Sequence, residues 1–158
     1  MSFSEFLSEN PFINEAFNTQ FKITKIEKEY NVKLFYFDVN NKKYRIFVEN
    51  IDNHLHVGFE RYFDNKEIWD IDGTSKDLKQ KEVLTLFGTI KSIILQYKFV
   101  SISVSTREYK KHGLYRRMMD KLAQELGEDY IVGTNDIYIF IRNKNNDTFS
   151  PKMLKFKK

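Results

Sequence analysis

The residues able to do chemistry in this chain of 158 fall in two places. The first is a segment reading His54-x-His56, with Glu60 further along the same run. Alternation puts both imidazoles on one face of a strand, and two histidines with a carboxylate can hold a metal ion. The step from His56 to Glu60 is wide for one ion, and no supporting ligands gather around it, so no metal is expected. Glu60 by itself, at a strand end, suits either a general base for an amine or a plain surface carboxylate. The second place is a basic cluster of Arg107, Lys110, Lys111, Arg116, Arg117 and Lys121, with Tyr109 among them. Such a cluster can meet nucleic-acid phosphates or an acidic protein surface. The plainer reading is a solvated helix face balanced by Asp120 and Glu125. His112 reads as a helix-start residue. Cysteine is absent, which excludes a thiol nucleophile, a disulfide and a thiolate zinc site. There is also no P-loop, dinucleotide fingerprint, Gly-x-Ser-x-Gly elbow or metalloprotease motif.

Composition narrows the class. The chain is 41% hydrophobic, enough for one core, and its 15 Phe and 9 Tyr make much of that core aromatic. Net charge is +4. Lys152, Lys155, Lys157 and Lys158 in the last residues equal that whole excess, a tail that is either solvated or set to touch an acidic partner. The first residues lack the basic and apolar regions of a signal peptide, and no apolar run reaches bilayer length. The expectation is a soluble protein that works, or is assembled, in cytoplasm, with no membrane contact.

These residues must be carried by regular elements. Residues 1–20 show aromatic side chains at roughly helical spacing, interrupted by Asn10-Pro11, and predict a helical segment that packs on the domain or reaches from it. Four strands follow, at residues 21–30, 32–39, 43–51 and 54–63, joined by turn pairs such as Asn40-Asn41 and Asp52-Asn53. Residues 32–39 are apolar on both faces, which predicts a central strand. A polar connection, residues 64–79, contains Trp69 and Ile71 and should pack back on the domain. Helix 80–98 presents Val83, Leu86, Phe87, Ile90, Ile93, Ile94 and Tyr97 on one face. Gly88 inside it predicts close packing on a sheet. Strand 99–106 sets Val100, Ile102 and Val104 against Ser101, Ser103 and Ser105. It forms a β-α-β unit with strand 54–63, with room for a parallel crossover. Helix 112–126 carries Leu114, Met118, Leu122 and Leu126 on one face and stops at Gly127. A hairpin from residue 130 to 141 closes a domain spanning 21–142, and residues 143–158 are a basic tail.

This order of elements resembles the GNAT fold of acyl-CoA N-acyltransferases. Trp69-x-Ile71-x-Gly73, Leu86-Phe87-Gly-Thr89-Ile90, Ser103-x-Ser105 and Leu114-Tyr115-x-Arg117-Met118 are similar to a group of small GNAT-like proteins of tailed phages, over residues 69–126. The resemblance implies an α+β fold with a mixed, mostly antiparallel twisted sheet, two main helices (80–98 and 112–126) and an N-terminal helical segment. In active members of the class, a tyrosine placed as Tyr115 is here protonates the departing CoA thiolate, and a glycine-rich loop before the long helix holds the CoA diphosphate on backbone N–H groups. The corresponding stretch here, residues 64–79, has Gly73 alone and five acidic residues against Lys66, Lys76 and Lys79. Like charge makes it a poor host for a diphosphate. The expectation is therefore a non-catalytic phage protein without a cofactor. It would be virion-associated or directed at the host, and would act by contact with other phage proteins or a host protein. The alternatives are an acetyl-CoA-dependent N-acyltransferase using Tyr115 and Glu60, and a nucleic-acid binder using the 107–121 cluster.

Overall fold

The computed structural model describes residues 19–70, 78–105, 112–134 and 138–145. The strands are β1 (Lys25–Glu29), β2 (Val32–Val39), β3 (Lys42–Ile51), β4 (His54–Phe63), β5 (Ile68–Asp70), β6 (Ser101–Ser105), β7 (Tyr130–Thr134) and β8 (Tyr138–Asn143). The helices are α1 (Gln80–Ile94) and α2 (His112–Leu126). The strands form one 8-stranded, mostly antiparallel open sheet in the order β1-β2-β3-β4-β6-β8-β7, with β5 attached to β4. The protein is thus α+β. The parallel crossover expected around the long helix is present: His54 to Val57 pair in parallel with Ser101 to Val104.

The hairpins follow from their turn residues. Asn40 and Asn41 have φ of 52° and 64°, and Asp52 and Asn53 have 52° and 66°. Two successive left-handed residues make the turn that matches strand twist, and Asn and Asp tolerate that region best. Asn50 Oδ1 also accepts the Asn53 N–H at 2.9 Å.

The chain divides into two compact units. The first holds the residues up to Phe47 together with Phe59–Tyr97. Its core is Phe35, Phe37, Tyr44 and Ile46 with the apolar side of α1: Val83, Leu84, Leu86, Phe87, Ile90, Ile93 and Ile94, all buried. Gly88 is buried among them. Thr89 ties the layers together. Its Oγ1 donates to the Thr85 carbonyl at 2.8 Å and accepts the Phe21 N–H at 2.8 Å. Phe21 then stacks on Phe37 at 5.0 Å between ring centres, and Phe37 on Tyr44 at 5.7 Å.

Several details depart from expectation, the first being that β1 covers only Lys25–Glu29 and not residues 21–30. Regular helix ends at Ile94 rather than at residue 98, because Gln96 N–H and Tyr97 N–H turn back to the Ile93 and Ile94 carbonyls in tighter i→i+3 bonds. β2 has a closed inner face, but on its outer face Tyr36 is half-buried and Asp38 exposed. That face is covered only in part, with Leu34 buried on it. The stretch 68–70, expected only to pack back, is a strand with Tyr62 opposite Trp69.

The second unit holds Val48–Gly58 and the residues from Lys98 onward. Leu55, Val57, Ile102, Val104, Ile139 and Ile141 are buried there, with Met119, Leu122 and Ala123 of α2. Met119 was not on the face expected from spacing; Leu122 was. Gly127 ends α2 at φ 125°, a region open to glycine, and its N–H closes on the Ala123 carbonyl at 3.2 Å. No helix among the described residues is long and apolar enough to cross a membrane. The expected N-terminal helices, through residue 18, and the tail from residue 146 lie outside the described residues.

Candidate functional site

In the first unit the outer face of β2, β3, β4 and β5 gathers polar and aromatic side chains. Period-two alternation explains why. Tyr44 and Ile46 point into the core, so Arg45 and Phe47 between them point out. Phe59 is buried, so Glu60 points out. Arg45 Nε donates to Glu60 Oε1 at 2.8 Å, and both side chains are about four-fifths buried. Arg45 Nη1 also meets the Tyr36 hydroxyl at 3.4 Å. The guanidinium lies 4.4 Å from the centre of the Trp69 ring, a close cation–π stack. Trp69 is edge-on to Tyr36 at 5.5 Å and tilted against Tyr62 at 5.3 Å.

Beside this cluster is an open groove of about 410 Å³, lined by Glu29, Tyr30, Leu34, Tyr36, Arg45, Phe47 and Glu60 among others. Tyr30 stands at its rim, 99% exposed, with φ of 52°. A bulky non-glycine residue in that region is an outlier with a cost of about 1–2 kcal/mol. At the sheet edge, Lys25 Nζ pairs with Glu27 Oε1 at 3.0 Å. The pairing hydrogen bond holds the Lys25 ammonium above its ordinary pKa and the Glu27 carboxyl below its own, with Tyr36 also bonded to that carboxyl.

This geometry bears directly on Glu60. The carboxylate is engaged by Arg45 at 2.8 Å, which occupies an oxygen that a general base would need. Arg45 keeps further N–H donors beyond the two contacts described, held at a fixed angle by the tryptophan. The arrangement suits recognition of a carbonyl or carboxylate more directly than proton transfer.

The two histidines are placed differently. His54 Nδ1 lies 2.6 Å from Ser101 Oγ, and His56 Nδ1 lies 3.0 Å from Ser103 Oγ. Register explains both, since His54 is opposite Ser101 and His56 opposite Ser103 in the parallel ladder. Both distances are within nucleophile–base reach. Two equivalent pairs side by side are nevertheless what any His-x-His strand makes beside a Ser-x-Ser strand. Among the described residues no three His, Asp or Glu side chains gather as a metal-binding group.

Of the basic cluster, Arg107, Lys110 and Lys111 lie outside the described residues. Tyr115 falls in α2, with its side chain outside them. Arg116 is engaged on both sides, with Nε 3.4 Å from Asp120 Oδ1 and Nη1 3.4 Å from Thr134 Oγ1. Arg117 is exposed and Lys121 half-buried. Sequence reading passed over Arg45, Tyr36 and Tyr30. The signal available for Arg45 was its place between two buried β3 residues, which leaves a cation on the face shared with Glu60. No family model, curated protein or solved structure matches the chain.

Proposed function

We propose that this chain is a non-catalytic GNAT-like contact domain of a tailed phage, binding another phage protein or a host protein through the outer-face groove of its first unit. The observation that supports this most is Glu60. The best-placed candidate base is tied to Arg45 at 2.8 Å beneath aromatic rings. Arginine, tryptophan and tyrosine together are the composition of binding hot spots, where a few such groups carry most of an interface's free energy. Arg45 would meet the partner's carbonyl or carboxylate groups, and Tyr30 would be the aromatic anchor. The virion or the infected cell's cytoplasm is the setting this reading implies.

The acyltransferase reading keeps one observation in its favour, the parallel β4–β6 pair bridged by α1. Two measurements separate the readings. Cross-linking mass spectrometry on purified particles and infected cells should join a single partner to residues around Tyr30 and Arg45, and Arg45→Ala should abolish that link. Acetyl-CoA at millimolar concentration should leave the melting temperature unchanged. A rise would show native-state binding of the cofactor and overturn the proposal. Salt-dependent DNA binding lost on Arg116→Ala and Arg117→Ala would instead support the nucleic-acid reading.

A further inference from the structure

The two edges of the sheet are built differently. The β1 edge reads Lys-Ile-Glu-Lys-Glu, with charges at four of its five positions and an internal Lys25–Glu27 ion pair. Charges of this kind protect an edge strand from pairing with another chain. The β7 edge reads Tyr-Ile-Val-Gly-Thr, with no charge at all. It is the last strand of the sheet, and no described residue pairs with its outer side. Ile131 on it is 39% exposed.

Register shows which backbone groups that edge offers. Lys144 N–H donates to the Asp129 carbonyl at 2.7 Å, so the pair 129/144 occupies a bonded position against the neighbouring strand. The ladder continues with Ile131 opposite Arg142 and Gly133 opposite Phe140. Bonded positions recur every second residue in an antiparallel pair. Ile131 and Gly133 therefore bond inward to β8. The N–H and C=O groups of Val132, the Tyr130 carbonyl and the Thr134 N–H point outward, while the Tyr130 N–H is already bonded to the Gly127 carbonyl.

We propose that β7 pairs antiparallel with β7 of a second copy of this chain, about a two-fold axis at Val132. That axis uses all five residues of the strand, setting Val132 against the partner's Val132, and Tyr130 against the partner's Thr134. It also sets exposed Ile131 against the partner's Gly133. Gly133 has no side chain to resist, because the Phe140 ring of its own sheet already fills the space where a Cβ would stand. Ile131 would then cover the partner's Phe140 ring.

Charge points to a second copy as the occupant. β7 runs back along α2, so Arg116 lies at the Thr134 end, where it contacts that residue at 3.4 Å. Glu128 and Asp129 immediately precede Tyr130 at the other end. Antiparallel pairing brings the Arg116–Arg117 end of one chain to the Glu128–Asp129 end of the other, twice. α2 itself has no acidic residue in its first turn and no basic residue in its last, so its own ends lack the charges that the helix dipole favours. Complementary ends of this kind fix orientation as well as affinity.

The test uses the full chain. Sedimentation equilibrium should give twice the 19.0 kDa monomer mass at high concentration. Ile131→Lys puts a charge on the edge without touching the core, and Arg116→Glu places like charges against Glu128 and Asp129. Each should weaken the dimer by at least about tenfold. Combining Arg116→Glu with Glu128→Arg in the same chain should restore it. Because the chain has no cysteine, Val132→Cys introduces a single thiol. Mild oxidation should link that variant into dimers, and Ile26→Cys on the opposite edge should stay unlinked. A wild type that remains monomeric at every concentration overturns the proposal. So does a dimer that survives Ile131→Lys, or one that links through position 26 and not 132.

Discussion

A tyrosine held at φ of 52° and left almost wholly in solvent is costly without being packed. Asparagine visits that region more readily, so Tyr30→Asn should raise stability by about 0.5–1 kcal/mol, read from urea unfolding midpoints. If Tyr30 is the anchor of the groove, the same variant should lose partner binding. A variant that is more stable and still binds fully would remove Tyr30 from the interface. Tyr97 presents the converse case. Its hydroxyl is buried with no hydrogen-bond partner among the described residues. An unmet buried donor costs about 1–3 kcal/mol, so Tyr97→Phe should stabilise the protein by about 1 kcal/mol. A loss of stability would mean that the hydroxyl is solvated in solution. At this scale the sequence was informative about which side chains face outward and silent about which of them meet. Alternation placed His54, His56 and Glu60 on one side of β4. That each histidine meets a serine, and Glu60 an arginine on β3, depends on strand register, which no local spacing encodes.

Elements were legible wherever one period ran uninterrupted. The three- and four-residue recurrence through Val83, Leu86, Phe87, Ile90 and Ile94 marks α1, and all of these residues are buried. The paired asparagines at 40 and 41 mark the hairpin between β2 and β3, since few other residues accept two consecutive positive φ values. β5 was missed because three residues are too few to show a period, and its strand character comes from pairing with Arg61 to Phe63. The start of α1 yields a prediction. Glu82 Oε1 accepts the Lys79 N–H at 2.9 Å, returning a carboxylate to the helix N-terminus, while its Oε2 accepts Asn40 Nδ2 at 3.0 Å from the β2–β3 turn. One side chain thus satisfies a backbone donor at the helix cap and ties the helix to a hairpin of the same unit. Glu82→Ala should cost about 1 kcal/mol, and Glu82→Gln less, because the amide oxygen keeps one acceptor. Equal losses for the two variants would assign the effect to charge at the helix end rather than to the hydrogen bonds.

For the whole molecule, fold class was readable because hairpin turns, a long amphipathic helix and a serine-alternating strand appear in an order that admits few topologies. The placement of β8 between β6 and β7 was not readable, because a hairpin can add to a sheet by either of its strands. Stability of the whole chain should carry a signature of its aromatic core at high pH. Burial raises the Tyr44 phenol above its ordinary pKa of 10.0, with the Glu82 charge adding to the rise and Arg61 opposing it. Burial raises Tyr97 in the same direction. A raised folded-state pKa means the native state holds its proton after the unfolded chain has released it, so native protein binds more protons and stability falls with increasing pH. The contribution is fully present below the unfolded pKa, about 10, and is lost as pH rises through the folded values. Urea midpoints measured from about pH 8 to about pH 11 should therefore decline above about pH 10. Tyr44→Phe should flatten that decline, and Tyr44→Phe combined with Tyr97→Phe should flatten it further, since a phenylalanine in either place leaves no proton to release. An alkaline decline of the same steepness in the double variant would show that these buried phenols do not set it, and would move the cause to the lysines of the surface.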